Sequence, residues 1–401
     1  MAALVVGSMT GCTSNQTAVP SAETQNTQEG TADQNTTENN AVDDQNQENS
    51  SKTIAKIRWQ HAGDLEPQQG MTVNKGTAGM LSGRSNGYII VGGGANFPDG
   101  GPEVGGAKKT YPDIYVLKQE DGMLVQVNHT TLDREIGYGA SITTEEGIYY
   151  VGGSPTEGNK ILLVKADTDG NVTTEEVGTL PFTFSDGIAV KKDNIIYIGA
   201  GKQDGKATNR FYAFDLSTKE ATELEAVPGE ETRTQVVTQI LNDSIYVFSG
   251  GDKVAYTDGY RYDLEAKKWE KVSDVKIGEE AISLLGANSV KLNDSTMLVI
   301  GGFNKAVYDN AVAQMAELKD EELQQFKNGY FGADPSELKW NRKILIYDAT
   351  VNEWSSIGEV PFDAPCGEAL ILDGDQIYSI NGEIKPGTRT NHMYSGTIEW
   401  E

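Results

Sequence analysis

Three side chains able to do chemistry surround one tight turn near the end of the chain. The segment INGEIKPGTRT, residues 380–390, places Glu383 just after Gly382, then Lys385, a Pro-Gly turn and Arg389. A partly desolvated carboxylate can accept a proton near neutral pH. A guanidinium can grip another carboxylate through two hydrogen bonds. The same residue types also make an ordinary solvated ion pair across a hairpin. An exposed hairpin, a binding loop and a catalytic loop therefore all fit this segment taken alone. The elements that position it must decide.

Those elements repeat. Short β-rich runs end in a glycine doublet or its equivalent at Gly93, Gly153, Gly201, Gly251, Gly302 and Gly382, in steps of 60, 48, 50, 51 and 80 residues. A period near 50 with a glycine doublet after a hydrophobic strand is the kelch signature. A second landmark recurs in YDLEAKKW at 262–269 and YDATVNEW at 347–354, and FDLSTKEA at 214–221 keeps its frame without the tryptophan. Six repeats predict an all-β, six-bladed kelch-type β-propeller over residues 53–401, each blade a four-stranded antiparallel sheet. The last repeat stops at Glu401 without an outer strand, while TIAKIRW at 53–59 reads as an orphan outer strand. The N-terminal strand is expected to pair into the last blade and close it.

In such a fold the loops after the second strand of every blade share one face. Three are elaborated: GANFPDGGPEVGGAKKTYP after the first doublet, a long insert from Phe303 to about Asn341, and the segment holding Glu383 and Arg389. The insert has helical spacing near 311–327. Long loops gathered on one end of a rigid scaffold are where function usually sits. Further pocket candidates follow from position. Arg233, Gln235 and Tyr138 begin innermost strands, and Asn96 and Asn304 follow doublets. Cys366, in APCGEA, reads as a small apolar packing residue.

Composition narrows the function classes. The chain has 401 residues, 33 basic and 59 acidic, and a net charge of −26. That charge repels nucleic acid and anionic lipid head groups. Its two cysteines argue against a disulfide framework or a thiolate zinc site. His61, His129 and His392 are too dispersed in sequence to suggest a metal. The N-terminus, MAALVVGSMTGCTSNQ, resembles the tail of a bacterial lipoprotein signal over residues 1–12, with Cys12 as the lipidated residue. Residues 13–52 are polar and acidic and read as a disordered tether. The expected location is therefore extracytoplasmic, at the cell surface or in the periplasm, with membrane contact only through the lipid.

The chain resembles the sialic acid mutarotases, or N-acetylneuraminate epimerases. The resemblance is carried by INGEIKPGTRT, by GGFNKAVYDN at 301–310 with its helical insert, by GGGANFPDG and AKKTYPDIYVL within 92–117, and by TRTQV at 232–236. In better-known members the N-G-E-x-K-P-G-x-R-T motif lies mid-chain. Its position here resembles a cyclically permuted branch. The resemblance implies anomer exchange of a sugar acid by ring opening and reclosure, without cofactor or metal. It implies Glu383 as proton acceptor and Arg389 as essential, with Arg389 suited to the substrate carboxylate. Lys385 can add an anion contact or help protonate the ring oxygen. Asn381 can hold a sugar hydroxyl or orient Glu383. The main alternative is a non-catalytic kelch propeller binding glycan or protein. Neither the S-x-D-x-G-x-T-W boxes of sialidases nor the histidine set of a kelch copper oxidase is present.

Overall fold

A computed structural model describes residues 53–153, 157–229 and 231–401. The signal-like residues 1–12, Cys12 and the proposed tether 13–52 lie outside the described residues. The all-β class expected from the repeats is the class observed. Among the described residues, six antiparallel sheets have four strands each. Five of them take their four strands in chain order. Sheet 1 runs from Ala78 to Ile136, sheet 2 from Ala140 to Thr179, sheet 3 from Ile188 to Leu224, sheet 4 from Val237 to Val272 and sheet 5 from Asn288 to Glu359. Sheet 6 joins both ends of the domain. Its strands Ala369–Asp373, Gln376–Ile380 and His392–Trp400 are completed by Ile54–Asp64, which pairs with His392–Trp400 from Ile54 opposite Trp400 to Asp64 opposite His392. That strand continues five residues past the segment TIAKIRW.

Period-two alternation sends side chains to both faces of each sheet, and both faces are buried. In sheet 1, Ile89, Val91, Tyr115 and Leu117 pack on Ala369, Ile371, Tyr378 and Ile380 of sheet 6. Their neighbours Ile90 and Ile114 pack the other way, on Ile148, Tyr150 and Leu162 of sheet 2. Similar clusters join sheets 2 and 3, 3 and 4, 4 and 5, and 5 and 6. The first strands of the six sheets lie side by side in chain order, and the first strand of sheet 6 also neighbours that of sheet 1.

The glycine doublets follow the second strands, or in sheet 1 lie within the strand Tyr88–Asn96, and the backbone there turns left-handed. Gly301 has φ +86°, and a Cβ there would sit 2.4 Å from the Pro365 carbonyl oxygen. Gly382 has φ +104°, and its Cβ would sit 2.7 Å from the Pro365 side chain. Only glycine combines that φ with so close an approach.

The insert expected to be helical near 311–327 forms three helices, α1 Lys305–Glu317, α2 Asp320–Gly332 and α3 Pro335–Leu338. Asn304 caps α1 by accepting the Val307 N–H at 3.1 Å, and Asp334 caps α3 through the Ser336 N–H at 2.9 Å. The insert covers an apolar cluster that includes Ala255, Leu285, Phe303, Tyr308, Trp340 and Cys366. No described helix is long and apolar enough to cross a membrane.

The strand Ile54–Asp64 contributes Ile57 and Trp59 to the cluster between sheets 5 and 6, with Trp59 edge-on to Phe362 at 5.3 Å. A chain beginning at Leu65 loses these contacts and leaves His392–Trp400 as an unpaired edge. Compared with a chain beginning at Thr53, it should unfold at clearly lower urea and associate in size-exclusion chromatography. Equal midpoints and a shared monomeric elution would contradict this role for the strand.

Candidate functional site

The segment INGEIKPGTRT forms a two-stranded hairpin, Glu383–Lys385 against Thr388–Arg389, with Glu383 directly opposite Arg389. Pro386 and Gly387 make the turn, and Gly387 has φ +80°. The hairpin is fixed by backbone hydrogen bonds on several sides. Cys366 and Glu383 exchange both N–H to carbonyl bonds at 2.8 Å. Gly382 N–H donates to Thr77 O at 3.0 Å, and Thr390 N–H donates to Gly382 O at 3.0 Å. A Cβ on Gly76 would fall 1.9 Å from the Thr390 carbonyl oxygen, so that segment presses closely on the hairpin.

Glu383 and Arg389 are not an exposed pair. Their side chains are 4% and 1% accessible, with Arg389 Nη2 3.5 Å from Glu383 Oε2. The Gly387 N–H donates to Glu383 Oε1 at 2.7 Å. The Arg389 guanidinium stacks over the Phe97 ring at 5.0 Å, and its Nε and Nη1 have no hydrogen-bond partner. Buried donors without partners are costly and mark a place where an anion would be welcome. Burial lowers the Arg389 pKa, but the Glu383 charge and then Tyr138 outweigh it, so the group is held above its ordinary value. For Glu383, burial pushes the carboxyl up while the Arg389 charge and the Gly387 N–H pull it down. The net is below the ordinary carboxylate range. Burial alone would raise this carboxyl toward neutrality, but with the Arg389 charge beside it the direction is downward.

The three elaborated loops meet here. Gln324 of α2 donates to Glu103 O at 2.6 Å. Lys385 Nζ donates to Ala333 O at 3.0 Å, just beyond α2. A Cβ on Gly387 would touch Pro102 and Phe331. Tyr330 of α2 lies near enough to Glu383 that burial and then the Glu383 charge raise its phenol pKa.

A cavity of about 1070 Å³ is lined by residues from the first strands of all six sheets, with Tyr138, Gln235, Cys366, Glu368 and Glu383 in its wall. Tyr138 and Gln235 both adopt left-handed φ, +63° and +52°, just before a first strand. The buried Tyr138 hydroxyl lies close enough to Arg389 to act on its charge but makes no hydrogen bond of good geometry, and Lys108 Nζ sits 4.3 Å from the centre of its ring. Asn381 is buried with φ +59°. Its Nδ2 reaches only Met80 Sδ at 3.5 Å, and its Oδ1 has no partner.

Three other candidates are placed differently. Arg233 is fully buried and forks onto Asp258 at 2.8 and 3.0 Å, with Ser249 O and Pro228 O as further acceptors. It stacks between Tyr256 and Tyr260, and its charge is spent within the protein. Asn304 is the cap of α1. Asn96 is buried, donating to Gly76 O at 2.7 Å and accepting from Tyr111 Oη at 2.8 Å. Both asparagines lie after doublets as expected, but the Asn304 amide holds a helix N-terminus and the Asn96 amide holds the Gly76 carbonyl and the Tyr111 hydroxyl.

One buried acid escaped the sequence reading. Glu368 lines the cavity, and Gly382 packs directly on it. Burial pushes its carboxyl up to about 8, although the Asn288 amide at 3.1 Å from Oε2 pulls the other way. Its Oε1 has no partner. In APCGEA the only signal was a charged residue opening an otherwise apolar strand.

A model of the family described as N-acetylneuraminate epimerase matches residues 178–401, which include the hairpin and the insert. The chain belongs to the N-acetylneuraminate epimerase family. An N-acetylneuraminate epimerase of Yersinia enterocolitica is 31% identical over 237 residues, 56% of this chain and 58% of that protein. One from Vibrio cholerae is 31% identical over 225 residues, 53% of this chain and 56% of that protein. The chain thus spans somewhat more than half the length of these curated relatives. A solved chain titled "Structure of YjhT" aligns with a TM-score of 0.48 at 25% identity, covering 54% of this chain and 64% of that one.

The Glu368 environment makes a signed prediction. The carboxyl keeps its proton in the folded protein up to about pH 8 but loses it above about 4.5 when unfolded. Between those values the folded state binds more protons, so this group's contribution to stability falls as pH rises and levels off above 8. Glu368→Gln removes that loss. Urea unfolding should show the variant gaining on wild type between pH 5 and 9, by on the order of a few kcal/mol. A difference independent of pH would contradict it.

Proposed function

We propose that this protein interconverts the α and β anomers of N-acetylneuraminate or a closely related nonulosonic acid, as an isomerase without a cofactor. The observation that carries the reading is the buried hairpin pair: an ionised carboxylate directly opposite a guanidinium with two unpaired donors, in a chain of the N-acetylneuraminate epimerase family. We read the six sheets as blades of one propeller, with Ile54–Asp64 completing the last. The permuted motif order is part of the same reading. A linear comparison aligns one stretch of a permuted chain, and the family match is confined to residues 178–401. With Cys12 read as a lipid anchor, the reaction takes place outside the cytoplasm.

The chemistry follows from the substrate. Sialic acid is a cyclic hemiketal with a carboxylate on the anomeric carbon. Anomer exchange removes the anomeric hydroxyl proton, protonates the ring oxygen, opens the ring to a keto acid, turns about one bond and recloses. Glu383 takes the hydroxyl proton. Arg389 pairs its open Nε and Nη1 donors with the substrate carboxylate, which draws its charge partly off Glu383 and makes that carboxylate more basic once substrate is bound. Tyr138, with its unpaired hydroxyl, and Asn381, with its unpaired carbonyl, supply further polar contacts. A non-catalytic glycan-binding role would need neither the base nor its counter-charge buried.

Glu383 and Arg389 should fail differently. Glu383→Gln keeps shape and an acceptor for the Gly387 N–H but removes the base. It should slow anomer exchange by about 10²–10⁴-fold with little loss of binding. Arg389→Lys keeps charge but loses the planar fork. It should weaken binding by roughly 1.5–3 kcal/mol and slow exchange as well. Exchange NMR and calorimetry read the two effects, and melting curves separate lost chemistry from lost fold. Wild-type exchange rates in a folded Glu383→Gln variant would remove Glu383 as the base.

A further inference from the structure

His61 and His392 are 331 positions apart, yet the pairing of the first and last strands of sheet 6 brings them together. In a regular strand His61 and Asp64 would face opposite sides, because they are three positions apart. A bulge between His61 and Gly63 absorbs one residue and turns both side chains to the same side. Asp64 lies in register with His392. Asp64 Oδ1 is 2.9 Å from His61 Nε2 and 2.6 Å from His392 Nδ1. The three ligand atoms lie within 4.8 Å of one another, and each side chain is about half exposed. The two imidazoles meet edge to face at 5.4 Å, with Tyr394 beside them. The cluster sits on a second cavity of about 500 Å³, whose wall also holds Trp59, Phe362 and Asn381.

We propose that His61, Asp64 and His392 form a binding site for a divalent cation of the zinc class, which clasps the N-terminal strand to the last strand. Two imidazole nitrogens and one carboxylate oxygen are the donor set such ions take, with remaining positions open to water. Calcium and magnesium want oxygen donors and do not fit it. The ligands come from two strands at opposite ends of the domain, so an ion that binds only their paired form stabilises that pairing by mass action. The second cavity borders the hairpin segment through Asn381, Ile384 and Thr390, but none of the three proposed ligands takes part in the proposed reaction.

The test titrates zinc chloride alone into chelator-stripped protein, followed by calorimetry, metal analysis after gel filtration, and thermal melting. One equivalent should bind. Zinc at about 100-fold over its dissociation constant should raise the melting temperature by about 2 °C or more, and equimolar calcium should not. His61→Ala and His392→Ala should each weaken zinc binding at least about 10-fold and abolish the melting shift. Their half-exposed side chains predict metal-free melting close to wild type. If either alanine variant is poorly folded, Asp64→Asn, which keeps the shape, makes the same comparison. A protein of net charge −26 also gathers cations diffusely, so dependence on the histidines is the deciding result. No one-to-one binding, equal binding in both histidine variants, or an equal shift with calcium would overturn the proposal.

Discussion

The end of the protein that holds the hairpin turns on burying one ion pair. Removing Glu383 and Arg389 from water costs several kcal/mol per charge, and their mutual attraction offsets that only if geometry is fixed. The hairpin fixes it. The two residues are cross-strand partners, the Glu383 backbone is tied to Cys366, and the neighbouring Gly382 is tied to Thr77. Two guanidinium nitrogens remain unpaired, so the fold carries a donor set that it does not itself satisfy. In the Arg233–Asp258 ion pair both terminal guanidinium nitrogens are engaged, and Nε alone lacks a partner.

That contrast organises the rest of the molecule. The sheets supply rigidity through apolar clusters between neighbours. The glycine doublets turn the chain from each second strand into the loops. Three long loops then converge, with α2 against the loop after the first doublet and Lys385 anchored beyond α2. Such convergence keeps water from the pair and orders the walls of the central cavity. It also explains how Glu368 is tolerated: an acid that stays protonated in the fold costs less to bury than an ionised one.

The repeats were legible because hydrophobic strands and glycine doublets are local signals with a fixed order. The missing outer strand at the C-terminus and the orphan strand at residue 53 were legible by the same count. Other features depend on contacts distant in sequence. Arg233 stood in a promising position, but Asp258, 25 residues later, claims it. Asn304 and Asn96 lay on the expected loops, but the fold commits their amides to a helix cap, to the Gly76 carbonyl and to the Tyr111 hydroxyl. The break between α1 and α2 falls at Leu318 and Lys319, without glycine or proline to announce it. Glu368 hid because one acid in an apolar strand resembles an edge residue. The histidines looked scattered because strand pairing, not spacing, joins two of them.

The central claim is that the buried pair works on a sugar that carries a carboxylate at its anomeric carbon. Its most direct test is exchange NMR on the wild-type protein with two sugars, N-acetylneuraminate and the neutral N-acetylmannosamine, which also forms anomers but has no carboxylate for Arg389. The account predicts that protein accelerates anomer exchange of N-acetylneuraminate well beyond the buffer rate and leaves that of N-acetylmannosamine unchanged. No acceleration for N-acetylneuraminate, or equal acceleration of both sugars, would contradict it.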